Sequence, residues 1–255
     1  MKDTDDAYIF DKRHGWKRAD SDIQLKAAKI IATEMGKKAI KWKQDEPDSK
    51  AAQAAITEAV RSSKRQGLEA MVWSARSVEG MSVNASQLDA DPNLLGVGNG
   101  ILNLDNGELL EPNPDILVTK RVNVAYDPNA SAPRYEKFLQ ECIPKHEESE
   151  FYMRWCGYRM SGFTTEQKFL FSKGNGSNGK SKDLELSLHL LGDYAAKIKT
   201  EVLVSAERNP QGHDADLLAF QGVRFAYCNE TSEGKYLNEQ QVKELVDEGT
   251  LTGRA

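Results

Sequence analysis

The sequence predicts an α/β protein in two parts: a mixed helical and turn-rich α+β domain over residues 1–150, then a nucleotide-loop segment over 151–255. Three observations carry this. The first half sets long amphipathic runs beside a segment dense in Gly, Asn, Asp and Pro. The second half holds "GNGSNGKS", Gly174 to Ser181, after the apolar run Phe169-Leu170-Phe171. It also holds "GVRFAYCNE", Gly222 to Glu230, an apolar strand ending in an acid. The boundary is drawn in "PKHEESE", near residues 145–150.

Taken in order, Tyr8-Ile9-Phe10, a turn at His14-Gly15 and then Trp16 read as a short strand pair. Asp20 or Ser21 caps the helix that follows. Ile23, Ala27, Ile30 and Ile31 recur on one face of it, with lysines elsewhere. A second helix is expected from Lys50 to Ser74, with Ala54, Ala55, Val60 and Leu68 among its apolar positions. Lys37, Lys38, Lys41, Lys43, Arg61, Lys64 and Arg65 form either a solvated helix face or contacts to a phosphate backbone. From Asp89, short apolar runs between tight turns predict strands, with Asn99-Gly100 and Asn106-Gly107 as hairpin dipeptides. "YDPNASAP" then links to a helical stretch from Tyr135 to about Gly162.

Composition bounds the function classes. The 255 residues suffice for one large or two modest domains, and a formal net charge of −5 leaves any DNA contact to a local basic patch. Cys142, Cys156 and Cys228 are widely spaced, without a C-x-x-C or Cys/His cluster, which argues against a structural zinc. No apolar run reaches signal-peptide or membrane-helix length, so a soluble, cytoplasmic protein without a membrane partner is expected.

A phosphate-binding loop needs a buried strand, a turn exposing successive N–H groups, and a helix whose N-terminus faces the phosphates. Gln167 to Ser172 supplies the expected strand. Gly174, Gly176 and Gly179 permit close approach, and Leu184, Leu188 and Leu191 mark a helix that Gly192 can end. The spacing G-x-x-x-x-G-K-S is met in full. Fifty residues on, Glu230 would sit at the carboxyl end of a central strand beside the loop. A carboxylate there polarises water or holds magnesium.

With these residues in place, the chain resembles the phage and plasmid primase–helicases of helicase superfamily III, the viral branch of the AAA+ ATPases. The resemblance runs from near residue 8 to the last residue. "LDADPNLLGVGNGILNLDNGELLEPNPD" and "VAYDPNASAPRYEKFL" are similar to the domain that precedes the helicase. "RWCGYRMSG", "KFLFSKGNGSNGKSK", "LLGDYA" and "GVRFAYCNETSEGKYLNEQQVKEL" are similar to the ATPase, and Asn178 before Gly179 is the family's form of the loop.

The resemblance implies a partial AAA+ domain that binds ATP and Mg²⁺. Gly174, Asn175, Gly176, Ser177, Asn178, Gly179, Lys180 and Ser181 would form the cradle. Lys180 would meet the β- and γ-phosphates, Ser181 would ligate the metal, and Glu230 would activate water and share in metal binding. Glu233 and Asn238 lie in a matching segment without an assigned role. Asp247-Glu248-Gly249 stands where a Gly-Gly-Asp-like triplet is usual in the DNA-contacting hairpin. The family's activity is ATP-driven translocation on single-stranded or forked DNA by a homo-oligomeric ring, a hexamer. Its sensor and arginine-finger residues are expected beyond Ala255, and its primase domain before residue 1. The alternative expectation is a truncated, catalytically weak nucleotide- or partner-binding fragment of a decayed mobile element. A small P-loop kinase is disfavoured because "NETSEGKYLNEQQ" carries no arginine-rich lid.

Overall fold

The structure, a computed structural model, describes residues 6–174, 176–198, 222–228 and 237–246. The chain forms two compact units, Met1–Asp11 with Trp16–Leu88, and Lys12–Gly15 with Asp89–Ala255. The boundary expected near residues 145–150 falls inside the second of these.

The first unit opens with the strand pair β1 (Ala7–Asp11) and β2 (Gly15–Ala19), then α1 (Ser21–Asp45). Asp20 is the N-cap of α1, its Oδ1 accepting from the Ile23 N–H at 2.8 Å. The buried face of α1 is not the one its isoleucines mark. Ala28, Ala32 and Ala39 are buried, whereas Ile30 and Ile31 are exposed. The physical reason is close helix approach: α1 packs on α2 (Lys50–Ser62) and α3 (Arg65–Ala75), and α2 also buries alanines, Ala52 and Ala59. Ala54 and Val60 lie exposed instead.

The single helix expected over 50–74 is two helices. The chain breaks at Ser63-Lys64, and Lys64 is extended at ψ 157°. It doubles back so tightly that a Cβ on Gly67 would lie 2.6 Å from the Arg61 carbonyl oxygen. Glycine at this position makes the turn sterically possible.

The second unit is built on an antiparallel sheet of β3 (Leu94–Val97), β4 (Gly100–Asn103) and β5 (Leu109–Leu110). Val97 pairs with Gly100, so the first hairpin turns at Gly98-Asn99, one residue before the expected dipeptide. The second turns through Asn106-Gly107 as expected, with the Gly107 N–H donating to Asn103 O at 2.8 Å and φ +74° at Gly107. Two helices, α4 (Pro133–Cys142) and α5 (His146–Tyr158), occupy the stretch expected from Tyr135. Pro144 lies between them, where a helix interior would lose a backbone donor.

The core joins Leu95, Val97 and Leu102 of the sheet to Val122, Leu191 and Tyr194. The Tyr194 hydroxyl accepts from the Gly96 N–H and donates to Lys120 O, each at 2.9 Å, tying the sheet to the residues that follow α6 (Lys180–Leu191). A parallel pair, β6 (Ala195–Lys197) with β7 (Phe225–Tyr227), lies against this core through Ala195 and Phe225. The last described helix is α7 (Glu239–Val246). Among the described residues no helix is long and apolar enough to cross a membrane.

The strand expected over Gln167–Ser172 is absent. Those residues carry no ladder, and Phe169 and Phe171 are 55% and 71% exposed. An apolar run becomes a strand only where a neighbour completes its hydrogen bonds. Among the described residues none pairs with it.

Candidate nucleotide-binding site

The loop is assembled from left-handed backbone at two positions. Ser177 has φ +60° and Gly179 φ +82°, and α6 begins directly after, at Lys180. Gly179 is the N-cap of α6 and provides no side-chain cap, unlike Asp20 on α1 and Ser49 on α2. The first intrahelical bond here runs from the Asp183 N–H to Gly179 O, 3.0 Å. The N–H groups of Lys180, Ser181 and Lys182 therefore lack helical acceptors and sit at the positive end of the helix dipole. That is the arrangement that accepts an anion.

The loop closes on itself through Lys180. Its Nζ donates to Gly174 O at 3.0 Å and to Asn178 Oδ1 at 2.7 Å. A Cβ on Gly174 would lie 2.0 Å from Asn178 Nδ2, so the Asn178 side chain folds closely over Gly174 and would have to move for any larger residue there. A Cβ on Gly176 would meet nothing within 4 Å. Ser181, in the first turn of α6, is exposed. Gly174, Gly176, Ser177, Asn178, Gly179, Lys180 and Ser181 are thus brought together. Asn175, the remaining residue of the expected cradle, lies outside the described residues, as do Glu230 and Glu233.

Three helices meet directly behind the loop. The Tyr135 hydroxyl on α4 donates to Asp183 Oδ1 at 3.0 Å, and the Tyr152 hydroxyl on α5 donates to Asp183 Oδ2. Burial, reinforced by the Asp183 carboxylate, holds both phenols above the usual tyrosine range. Burial likewise raises the Cys156 thiol. Gly179 lies so close to α4 that a Cβ there would come within 2.4 Å of Cys142 Sγ and 2.9 Å of Phe138. The loop's last glycine thus serves close packing as well as its φ.

Sequence reasoning missed Tyr135, Phe138, Cys142, Tyr152 and Asp183. The signal available was Asp183 in the first turn of a helix that opens on a glycine, where a carboxylate is favoured. Its partners lie 48 and 31 residues away in sequence, beyond any local pattern.

After α6, β7 runs parallel to β6, and the Ile198 N–H donates to Tyr227 O at 2.7 Å. Arg224, just before β7, donates to Met160 O at 2.7 Å and Leu94 O at 2.5 Å and lies over the Tyr194 ring at 4.6 Å. Its guanidinium is lowered from the usual arginine range by desolvation. These contacts make it a structural cation that fixes the start of β7.

Fold and loop together define a mixed α/β protein in which a glycine-rich turn opens a helix at a lysine. The chain belongs to the D5 N terminal like family, whose match covers residues 2–144. Among curated proteins it is similar to the protein named "Putative primase" of African swine fever virus. The Malawi tick isolate and the Badajoz strain each give 28% identity over 174 residues, 66% of this chain and 18% of theirs. It is also similar to the "Putative helicase" of Acanthamoeba polyphaga mimivirus, 25% identical over 172 residues, again 66% of this chain and 18% of that protein. The chain spans about a fifth of the length of these viral proteins.

Proposed function

We propose that this chain carries the ATP-binding site of a superfamily III DNA helicase of viral, phage or plasmid type. The observation behind the reading is the loop itself: a complete G-x-x-x-x-G-K-S whose lysine ammonium reaches back over the turn to Gly174 and Asn178. A phosphate would replace those two neutral oxygen partners with charged ones, and charge-assisted bonds are the stronger kind. The first-turn N–H groups of α6, which have no helical acceptor, would donate to further phosphate oxygens. Kinship with proteins named primase and helicase supports the replicative role.

In this reading the γ-phosphoryl group of Mg-ATP would pass to water, the β–γ phosphoanhydride bond breaking and ADP leaving, and this hydrolysis would drive translocation. Lys180 neutralises charge on the β- and γ-phosphates, and Ser181 offers its hydroxyl to the metal. Glu230 orients and polarises the attacking water and contributes to the metal site. The ring is a homo-oligomer, a hexamer, on single-stranded or forked DNA, and it works in the cytoplasm of the host cell.

The test is calorimetric titration of Mg-ATP into the wild-type chain and into Lys180→Ala. Loss of a charge-assisted contact worth roughly 1.5–3 kcal/mol should weaken binding about tenfold or more with the fold intact. Equal affinity in the two proteins would overturn the assignment of the loop.

A further inference from the structure

We infer that the outward face of α1 is a binding surface for single-stranded nucleic acid, separate from the nucleotide loop. On a helix of 3.6 residues per turn, Lys26, Lys29, Ile30, Thr33, Lys37, Ile40, Lys41 and Gln44 share one stripe, and all eight are exposed. Between Lys26 and Gln44 this stripe carries four lysines and no acid. It is about 27 Å long at ~1.5 Å per residue, enough to follow several phosphates of an extended strand. Of the acids of α1, Asp22 lies one turn before Lys26 at the start of this face, Asp45 is at the end of the helix, and Glu34 is on the flank, where it accepts from Lys37 Nζ at 2.7 Å.

The structure sorts the basic residues that sequence alone left ambiguous. Lys43 donates to Ser49 O, Arg61 pairs with Glu58 and Arg65 with Glu69. Lys26, Lys29 and Lys41 have no carboxylate partner among the described residues. Ile30 and Ile40 sit between these lysines at 66% and 50% exposure. Free cations spaced along a ridge with apolar side chains between them suit a strand that offers phosphates and unstacked bases together.

The charge distribution selects the occupant. From Ser21 to Arg76 the helical stretch holds eleven Lys and Arg against seven Asp and Glu, a net +4 in a chain of −5. A symmetric contact between two copies of this face would set lysines against lysines, which disfavours self-pairing. The choice of DNA rests on the replicative reading; the surface does not depend on the loop.

Anisotropy of a labelled 20-nucleotide oligothymidylate, measured with the full chain and no added nucleotide, tests this. Binding should fall with salt at a log–log slope near −3, as about four phosphate contacts on a single strand require. Changing Lys26, Lys29, Lys37 and Lys41 together to Gln should weaken binding more than tenfold and flatten the slope toward zero. Changing Lys137 and Lys145 to Gln should leave binding within about twofold, and Lys180→Ala should retain it. Circular dichroism of the four-lysine variant should match wild type, because all four side chains are exposed. Absence of low-salt binding, or equal binding by the four-lysine variant, overturns the inference. So does a wild-type oligomer that this variant dissociates, which would make the face a protein contact. Loss of Mg-ATP binding in Lys180→Ala with DNA binding intact would show the two sites to be independent.

Discussion

Replacing Tyr152 with phenylalanine removes a single oxygen and should loosen the first turns of α6. In the folded chain that oxygen donates to Asp183 Oδ2, while Tyr135 donates to Oδ1 at 3.0 Å. A hydrogen bond to a charged group contributes roughly 1.5–3 kcal/mol net. Both phenols are only about half buried, so water can reach the vacated carboxylate oxygen and the lower figure applies, about 1.5 kcal/mol. That corresponds to roughly a tenfold larger local opening constant, since about 1.4 kcal/mol is a factor of ten. Native-state hydrogen exchange reads it directly: amides from Asp183 to Ser187 should exchange about tenfold faster, while those of β3 and β4 should not change. Tyr135→Phe should give a similar or smaller effect. The double variant should exceed the sum of the two, because it leaves the carboxylate without either donor. Unchanged exchange along α6 in the double variant would refute the reasoning. The helix start would then be held by Gly179 packing on Phe138 and Cys142 rather than by Asp183.

Two further outcomes follow from the geometry. Gly96→Ala should cost roughly 3 kcal/mol or more, because the new Cβ would lie 2.2 Å from Lys120 O and part the backbone that the Val122 N–H to Gly96 O bond (2.9 Å) joins. Gly98→Ala, where the nearest atoms are 3.1 Å away, should cost clearly less in the same urea titration. Stability should fall as pH rises above about 10, the ordinary tyrosine value. Burial raises Tyr135 and Tyr152 above that value and pushes Tyr194 up to about 12, so the unfolded chain loses these protons first. Their contribution is complete below pH 10 and is lost as pH climbs through the folded values. Phenolate absorbance should show these three ionising late, together with unfolding; early ionisation of all tyrosines would contradict it.

By itself the sequence determined whatever depends on local spacing. The hairpin at Asn106-Gly107, the Asp20 cap, the end of α6 at Gly192 and the order Gly179-Lys180-Ser181 at its start are all set within a few residues. Their causes are left-handed backbone, short-range capping and helical period. Tertiary structure decided what depends on which surface meets which. Ile30 and Ile31 are more apolar than Ala28 and Ala32, yet the alanines are buried, because close approach of α1 to α2 rewards small side chains. Phe169-Leu170-Phe171 has the composition of a core strand and forms none, since strand character resides in the partner as much as in the run itself. Asp183 reads as an ordinary first-turn acid until α4 and α5 bring two hydroxyls to it from 48 and 31 residues away. Contacts at that separation are fixed by the packing of three helices, and no periodicity within one of them encodes the other two.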